Sequence, residues 1–111
     1  MLTREELDMP ILKVVLTDYW FDKIEAGEKI HEFRKATLFW EKRILPLFKT
    51  IKDGFWIPKD NALIEFQKAY RKNPKKMTFK IKRMKEWPSG LDTDLKCDES
   101  VYDIELGERI K

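Results

Sequence analysis

Hydrophobic residues recur along the chain with two different periods, and the changes of period divide it into short elements. Residues 11–16 form an apolar run broken only by Lys13 and containing β-branched Val14 and Val15, which predicts a strand buried on most of its surface. Trp20, Phe21 and Ile24 then fall at helical spacing. With Thr17 or Asp18 before them as a cap and Gly27 after them to take a left-handed turn, a helix is expected over about residues 19–26. From residue 30 to 35 the pattern alternates: Ile30, Glu32 and Arg34 share one face of a strand, and His31, Phe33 and Lys35 share the other. A second helix is expected over about residues 38–45, with Phe39 or Trp40 above Arg43 and Ile44 and Pro46 as its stop.

Residues 52–54 carry a turn signal, and residues 62–66 read as the next strand. Residues 67–76, with Asn73-Pro74, read as an exposed connection. The clearest strand is 77–84, where Met77, Phe79 and Ile81 face one way while Thr78, Lys80 and Lys82 face the other. Residues 86–100 contain Trp87-Pro88-Ser89-Gly90 and the acids Asp92, Asp94, Asp98 and Glu99, which predicts a long irregular connection or a short helix. Residues 101–106 close the fold as a strand. No repeat or linker interrupts the 111 residues. Several short strands and two helices must therefore share one core, as a single α+β, mainly β domain over 1–111, or a small barrel.

Composition changes this picture by exclusion. Cys97 is the only cysteine and His31 the only histidine, so internal disulfides, multi-cysteine clusters and paired-histidine metal sites are all excluded, and neither a metal nor another cofactor is expected. Gly27, Gly54, Gly90 and Gly107 are too scattered for a phosphate loop or a dinucleotide fingerprint, and Ser89 and Ser100 stand in no nucleophile elbow. No apolar run approaches the roughly 18 residues of a membrane span. Residues 1–10 hold Glu5, Glu6 and Asp8 and lack the basic start and apolar centre of a signal peptide, so the cytoplasm is the expected compartment. The net charge of +3 hides a segregated pattern. Lys68, Arg71, Lys72, Lys75, Lys76, Lys80, Lys82, Arg83 and Lys85 lie in one stretch without an acid, leaving the rest of the chain net acidic. Such a stretch is either the footprint of a phosphate-binding surface or a solvated, lysine-rich face.

The segment Gly27-Glu28-Lys29-Ile30-His31-Glu32-Phe33-Arg34, between a short aromatic helix and a strand, resembles the G-x-K-x-x-E-x-R signature of the ASCH domain family, whose fold looks like the PUA superfamily. Trp40-Glu41-Lys42-Arg43-Ile44, Glu65-Phe66-Gln67-Lys68-Ala69-Tyr70 before Met77-Thr78, and the closing Ile104-Glu105-Leu106-Gly107 agree in order. Ile30 stands where a threonine often follows the lysine, and Ala69 where a glycine often precedes the tyrosine. The resemblance implies a small PUA-like β-barrel with flanking short helices and a cleft lined by the lysine–glutamate–arginine segment, which receives RNA or a modified nucleoside. Some small members are similar to metal-independent amidohydrolases that deacetylate N4-acetylcytidine with a lysine at the position matching Lys29. A threonine occupies the position matching Glu32 in those enzymes. Their third acid comes from the connection before the last strand, where Glu86 or Glu99 is the expected counterpart.

Each of these residues has a chemical and a purely structural use. Lys29 anchors a phosphate or, if desolvated, acts as a base or nucleophile; otherwise it neutralises the end of a helix dipole. Glu32 and Arg34 form an ion pair that either aims Arg34 at a ligand or merely decorates the surface. Glu32 joins Lys29 as a catalytic residue only if the protein is an enzyme. Arg43 reaches the cleft or covers the core with its stem. Gln67 and Tyr70 stand where an aromatic ring can stack on a base, with Arg71 and Lys72 on its phosphates and Lys75, Lys76, Lys80 and Lys82 tracking the backbone; alternatively Tyr70 closes the barrel end. His31 points away from the cleft. Trp20, Trp40, Trp56 and Trp87 are expected in the core, and only an exposed one is a stacking candidate. Cys97, among acids, is a poor nucleophile. Three functions follow: an RNA- or nucleotide-binding module, a small hydrolase of modified nucleosides or RNA, and an interaction domain with a basic face for an acidic protein.

Overall fold

The structure is a computed structural model that describes residues 10–111; the acidic segment before Pro10 lies outside it. Among the described residues seven strands form one curled, half-barrel sheet with two short helices, a mainly β α+β fold. β1 (Ile11–Leu16) leads into α1 (Asp18–Glu25), β2 (His31–Lys35), α2 (Leu38–Ile44) and a single 3₁₀ turn (Leu45–Leu47). β3 (Phe48–Lys52), β4 (Phe55–Pro58), β5 (Leu63–Lys68), β6 (Lys76–Trp87) and β7 (Val101–Arg109) follow. β1 runs parallel to β5, and every other pairing is antiparallel: β5 with β6, β6 with β4 and β7, β4 with β3, and β7 with β2.

β1 is not buried on most of its surface. Leu12, Val14 and Leu16 are buried while Ile11 and Lys13 are exposed, because β1 pairs only with β5 and has one face on the core. That face packs with Ile64 and Phe66 of β5 and with Phe21 and Ile24 of α1, and the buried rings Phe21 and Phe66 each stabilise the fold by about 1.5–3 kcal/mol. α1 ends as its sequence requires. Gly27 takes φ +77°, and Glu28 and Lys29 donate their backbone N–H groups to the Lys23 carbonyl at 3.0 and 3.2 Å, which swings Lys29 back toward the sheet. α2 starts with the Thr37 hydroxyl accepting from the Trp40 N–H at 3.4 Å and gives way to the 3₁₀ turn at Pro46.

The turn at residues 52–54 is the tip of a hairpin. Asp53 and Gly54 both have positive φ, the two-residue turn that matches strand twist. Its flanking strands escape a pattern search because β3 is exposed after Phe48 and β4 is half-buried throughout. β6 runs three residues past the predicted end. Its alternation changes phase at the register shift between Ile81 and Arg83, so Met84 rather than Arg83 or Lys85 enters the core. Thr78, predicted to face outward, is buried because residues 110 and 111 fold back on it, Ile110 donating to its carbonyl at 2.8 Å. Residues 88–100 are irregular and hold no helix. No described helix is long and apolar enough to cross a membrane.

Candidate functional site

Strand β2 presents Glu32 and Arg34 on the concave face of the sheet, beside Lys29 at its entrance. The three side chains line one cavity of about 240 Å³ with Thr17, Trp20 and Phe33. A neighbouring cavity of about 510 Å³ shares Trp20, Lys29, Phe33 and Asp94 with it and extends to His31, within the range of about 300–1,000 Å³ usual for small-ligand sites. Glu32 is the floor. Its side chain is 5% exposed, and its Oε2 accepts from Arg34 Nε at 3.0 Å and Nη2 at 2.6 Å, while Oε1 lies 4.0 Å from Lys29 Nζ. The expected ion pair is present, but Glu32 does not open to solvent: the inward face of a curled sheet takes it to the bottom of the concavity.

Lys29 is 11% exposed at its side chain and pairs directly with Asp94, from the irregular connection. Its ammonium stands 5.0 Å from the Trp20 ring centroid and 4.9 Å from that of Phe33. The Arg34 guanidinium lies 4.7 Å from the Trp40 ring. Phe33 is half-buried and walls this cavity. Two cations, two carboxylates and an aromatic wall therefore meet in one recess.

Burial pushes the Glu32 carboxyl above the usual carboxylate range; Arg34 and Lys29 oppose this, and the negative Asp94 adds to it. A carboxyl that holds its proton more tightly when folded contributes stability that is complete below its ordinary value of 4.5 and is lost as pH rises through the raised folded value. Glu32→Gln, fixed in the neutral form, should therefore gain in melting temperature relative to the unmodified protein as pH rises from 4.5. A pH-independent difference would contradict the shift. Glu105 behaves oppositely: hydrogen bonding from Arg83 holds it below the usual range, so its contribution is present above 4.5 and lost as pH falls.

The acid that the connection before β7 brings to Lys29 is Asp94, not Glu86 or Glu99. Glu99 pairs with Lys35 at 3.1 Å, and Glu86 is exposed at the end of β6. The connection reaches Lys29 because Gly90 bridges to Cys97 and closes it into a loop. A Cβ on Gly90 would stand 2.7 Å from Val101 Cγ1 and 2.9 Å from Cys97 Sγ, so glycine is needed for this closure.

The remaining predicted residues lie elsewhere. Arg43 donates to the Phe39 carbonyl at 2.9 Å, stacks 3.6 Å above the Phe39 ring and borders a shallow cavity with Ile11, Leu12 and Lys13. Gln67 donates to the Ala69 carbonyl at 2.9 Å, stiffening a turn in which Ala69 has φ +56°. That turn sends Tyr70 outward, 88% exposed, and neither Gln67 nor Tyr70 lines the Lys29 recess. Arg71 pairs with Asp18 of α1, and Lys72 is exposed beside it. The basic stretch is largely neutralised at close range: Lys68 pairs with Asp22, Lys75 with Glu25, Lys76 with Glu65, Lys80 with Glu108, and Lys82 and Arg83 with Glu105. Linear charge counting missed these partners because they come from other elements. Among the described residues no three histidine, cysteine or acidic side chains gather as a metal site. His31 faces the other side of the sheet, as its alternation implies, with Nδ1 2.6 Å from Asp103 Oδ1. Comparison with protein-family models, curated proteins and solved structures finds no match to this chain.

Proposed function

We propose that this chain is a cytoplasmic ASCH-like, PUA-like domain that binds RNA or a nucleotide, with one base and its phosphate held in the recess of Lys29, Glu32 and Arg34. The observation that carries the proposal is the pair of cations, Lys29 and Arg34, bridged from below by a nearly buried carboxylate and flanked by Trp20, Phe33 and Trp40. Planar rings offer stacking to a base, and an ammonium beside a guanidinium offers charge-assisted bonds to a phosphate. An incoming anion would replace Asp94 on Lys29. The left-handed Ala69, at a position where the family often has glycine, agrees with the resemblance. With Lys75, Lys76, Lys80 and Lys82 engaged by carboxylates, these four lysines would add little to affinity, which would come mainly from the recess.

One observation favours a second use of the same recess, hydrolysis of an acetylated nucleoside. Asp94 approaches Lys29 from the connection before the last strand, and Thr17, whose hydroxyl makes no cap bond, lines the cavity and supplies the hydroxyl that Glu32 does not. In such a reaction water adds to the acetyl carbonyl and the carbon–nitrogen bond breaks. The water's proton passes through Lys29 and Asp94 or Glu32 to the departing amine, leaving acetate and the amine. Incubation with N4-acetylcytidine separates the two uses. Binding without turnover is the expected result; turnover that survives chelation and disappears in Lys29→Ala would establish the hydrolase instead. Loss of all RNA or nucleotide binding even at low salt would remove the binding proposal and leave an interaction domain for an acidic protein.

A further inference from the structure

The opposite face of the same sheet carries a second groove. Beyond the phase change in β6, Arg83, Lys85 and Trp87 point outward. Strand register sets His31, Glu105 and Arg83 in one row across β2, β7 and β6, and Phe33, Asp103 and Lys85 in the next. With Phe55 of β4, His31, Arg83, Lys85, Trp87, Asp103 and Glu105 enclose a cavity of about 280 Å³. The Lys85 ammonium lies 4.2 Å from the Trp87 centroid and 5.5 Å from that of Phe55, and the Arg83 guanidinium is 4.0 Å from Phe55. Trp87 is the most exposed tryptophan, at 39%, and its indole is fixed by donating to Asp103 Oδ2 at 3.0 Å. The two acids here are engaged: Asp103 by Trp87 and His31, Glu105 by Arg83 and Lys82 at 2.9 and 3.2 Å. His31 lines both this groove and the larger cavity at Lys29, so the two recesses meet there.

We propose that this groove holds the nucleotide adjoining the one at Lys29, so that the ligand is a single-stranded nucleic acid rather than a free nucleotide. The proposal rests on the nucleotide reading of the Lys29 recess. A base stacks on Trp87 or Phe55 while Lys85 and Arg83 contact its phosphate, the combination of aromatic platform and cation that single strands require. Lys85 is suited to this role because its ammonium rests on rings and, among the described residues, in no ion pair.

The test compares two ligands on variants that keep the fold. A labelled single-stranded RNA hexamer is titrated by fluorescence anisotropy and cytidine monophosphate by calorimetry, with a thermal melt for each variant. The hexamer should bind at least about tenfold tighter than the monophosphate. Phe55→Ala and Lys85→Gln should each weaken the hexamer by roughly 5- to 100-fold while leaving the monophosphate within about twofold. Trp87→Ala should act in the same direction, but because it also frees Asp103 the other two variants decide. Unchanged hexamer affinity in both, or a hexamer no tighter than the monophosphate, would overturn the proposal. If the monophosphate fails to bind but the hexamer binds and is weakened by both variants, the groove stands and the Lys29 reading falls. A DNA hexamer of the same sequence distinguishes the source: equal losses assign the groove to either strand, and losses with RNA alone assign it to RNA.

Discussion

Glu32→Ala is expected to cost about 3 kcal/mol of folding stability in chemical denaturation, the lower end of the range for breaking a buried ion pair. The loss arises from what the substitution leaves behind. Arg34, with a side chain only 21% exposed, loses both hydrogen bonds to Oε2, and Lys29 loses the carboxylate below it. The cost stays at the lower end because the guanidinium keeps its contact with Trp40 and the ammonium keeps Asp94. Glu32→Gln should cost under about 1.5 kcal/mol, because the amide oxygen still accepts from Arg34. Similar losses in the two variants would mean that the carboxylate organises nothing in the recess.

Arg34→Ala is expected to weaken nucleotide binding by about 1–3 kcal/mol, with a smaller loss of fold stability than Glu32→Ala. The side chain removed is the one that offers free donors to a ligand. The partner left behind, Glu32, can take up a proton, a response toward which its burial already biases it. Calorimetric titration and a thermal melt of the same sample separate the effects. A variant that unfolds while its residual binding is unchanged would make Arg34 a structural residue and leave the segment with the family's shape but not its site.

Alternation in residues 30–35 was enough to place Glu32 and Arg34 on one face and His31 on the other, whereas Lys29 was expected beside them only through the family resemblance. Depth was not legible. Period two reports which face a residue takes, not whether that face curls inward, and two charges in a row argue for solvent until the curl of the sheet buries the first. Asp94 was invisible for a different reason: residues 88–100 have no period, and their path is set by the bridge between Gly90 and Cys97. The nearby glycine and the acids two and four residues beyond it were the only signal. Tyr70 lies outside the recess for a reason of local backbone geometry, since a positive φ at Ala69 turns the chain outward there. The pairing of the basic stretch was not legible because its counterions lie on α1, β5 and β7, away from it in sequence.

The claim that the recess of Lys29, Glu32 and Arg34 is a nucleotide site is tested most directly by titrating isotope-labelled protein with cytidine monophosphate and following amide and side-chain N–H signals by NMR. Saturable shifts should centre on Lys29, Phe33, the Trp20 indole and the Arg34 Nε, and Lys29→Ala should abolish them while the remaining spectrum stays folded. Shifts that do not saturate, or that centre on Tyr70, Arg71 and Lys72 and survive Lys29→Ala, would contradict the account.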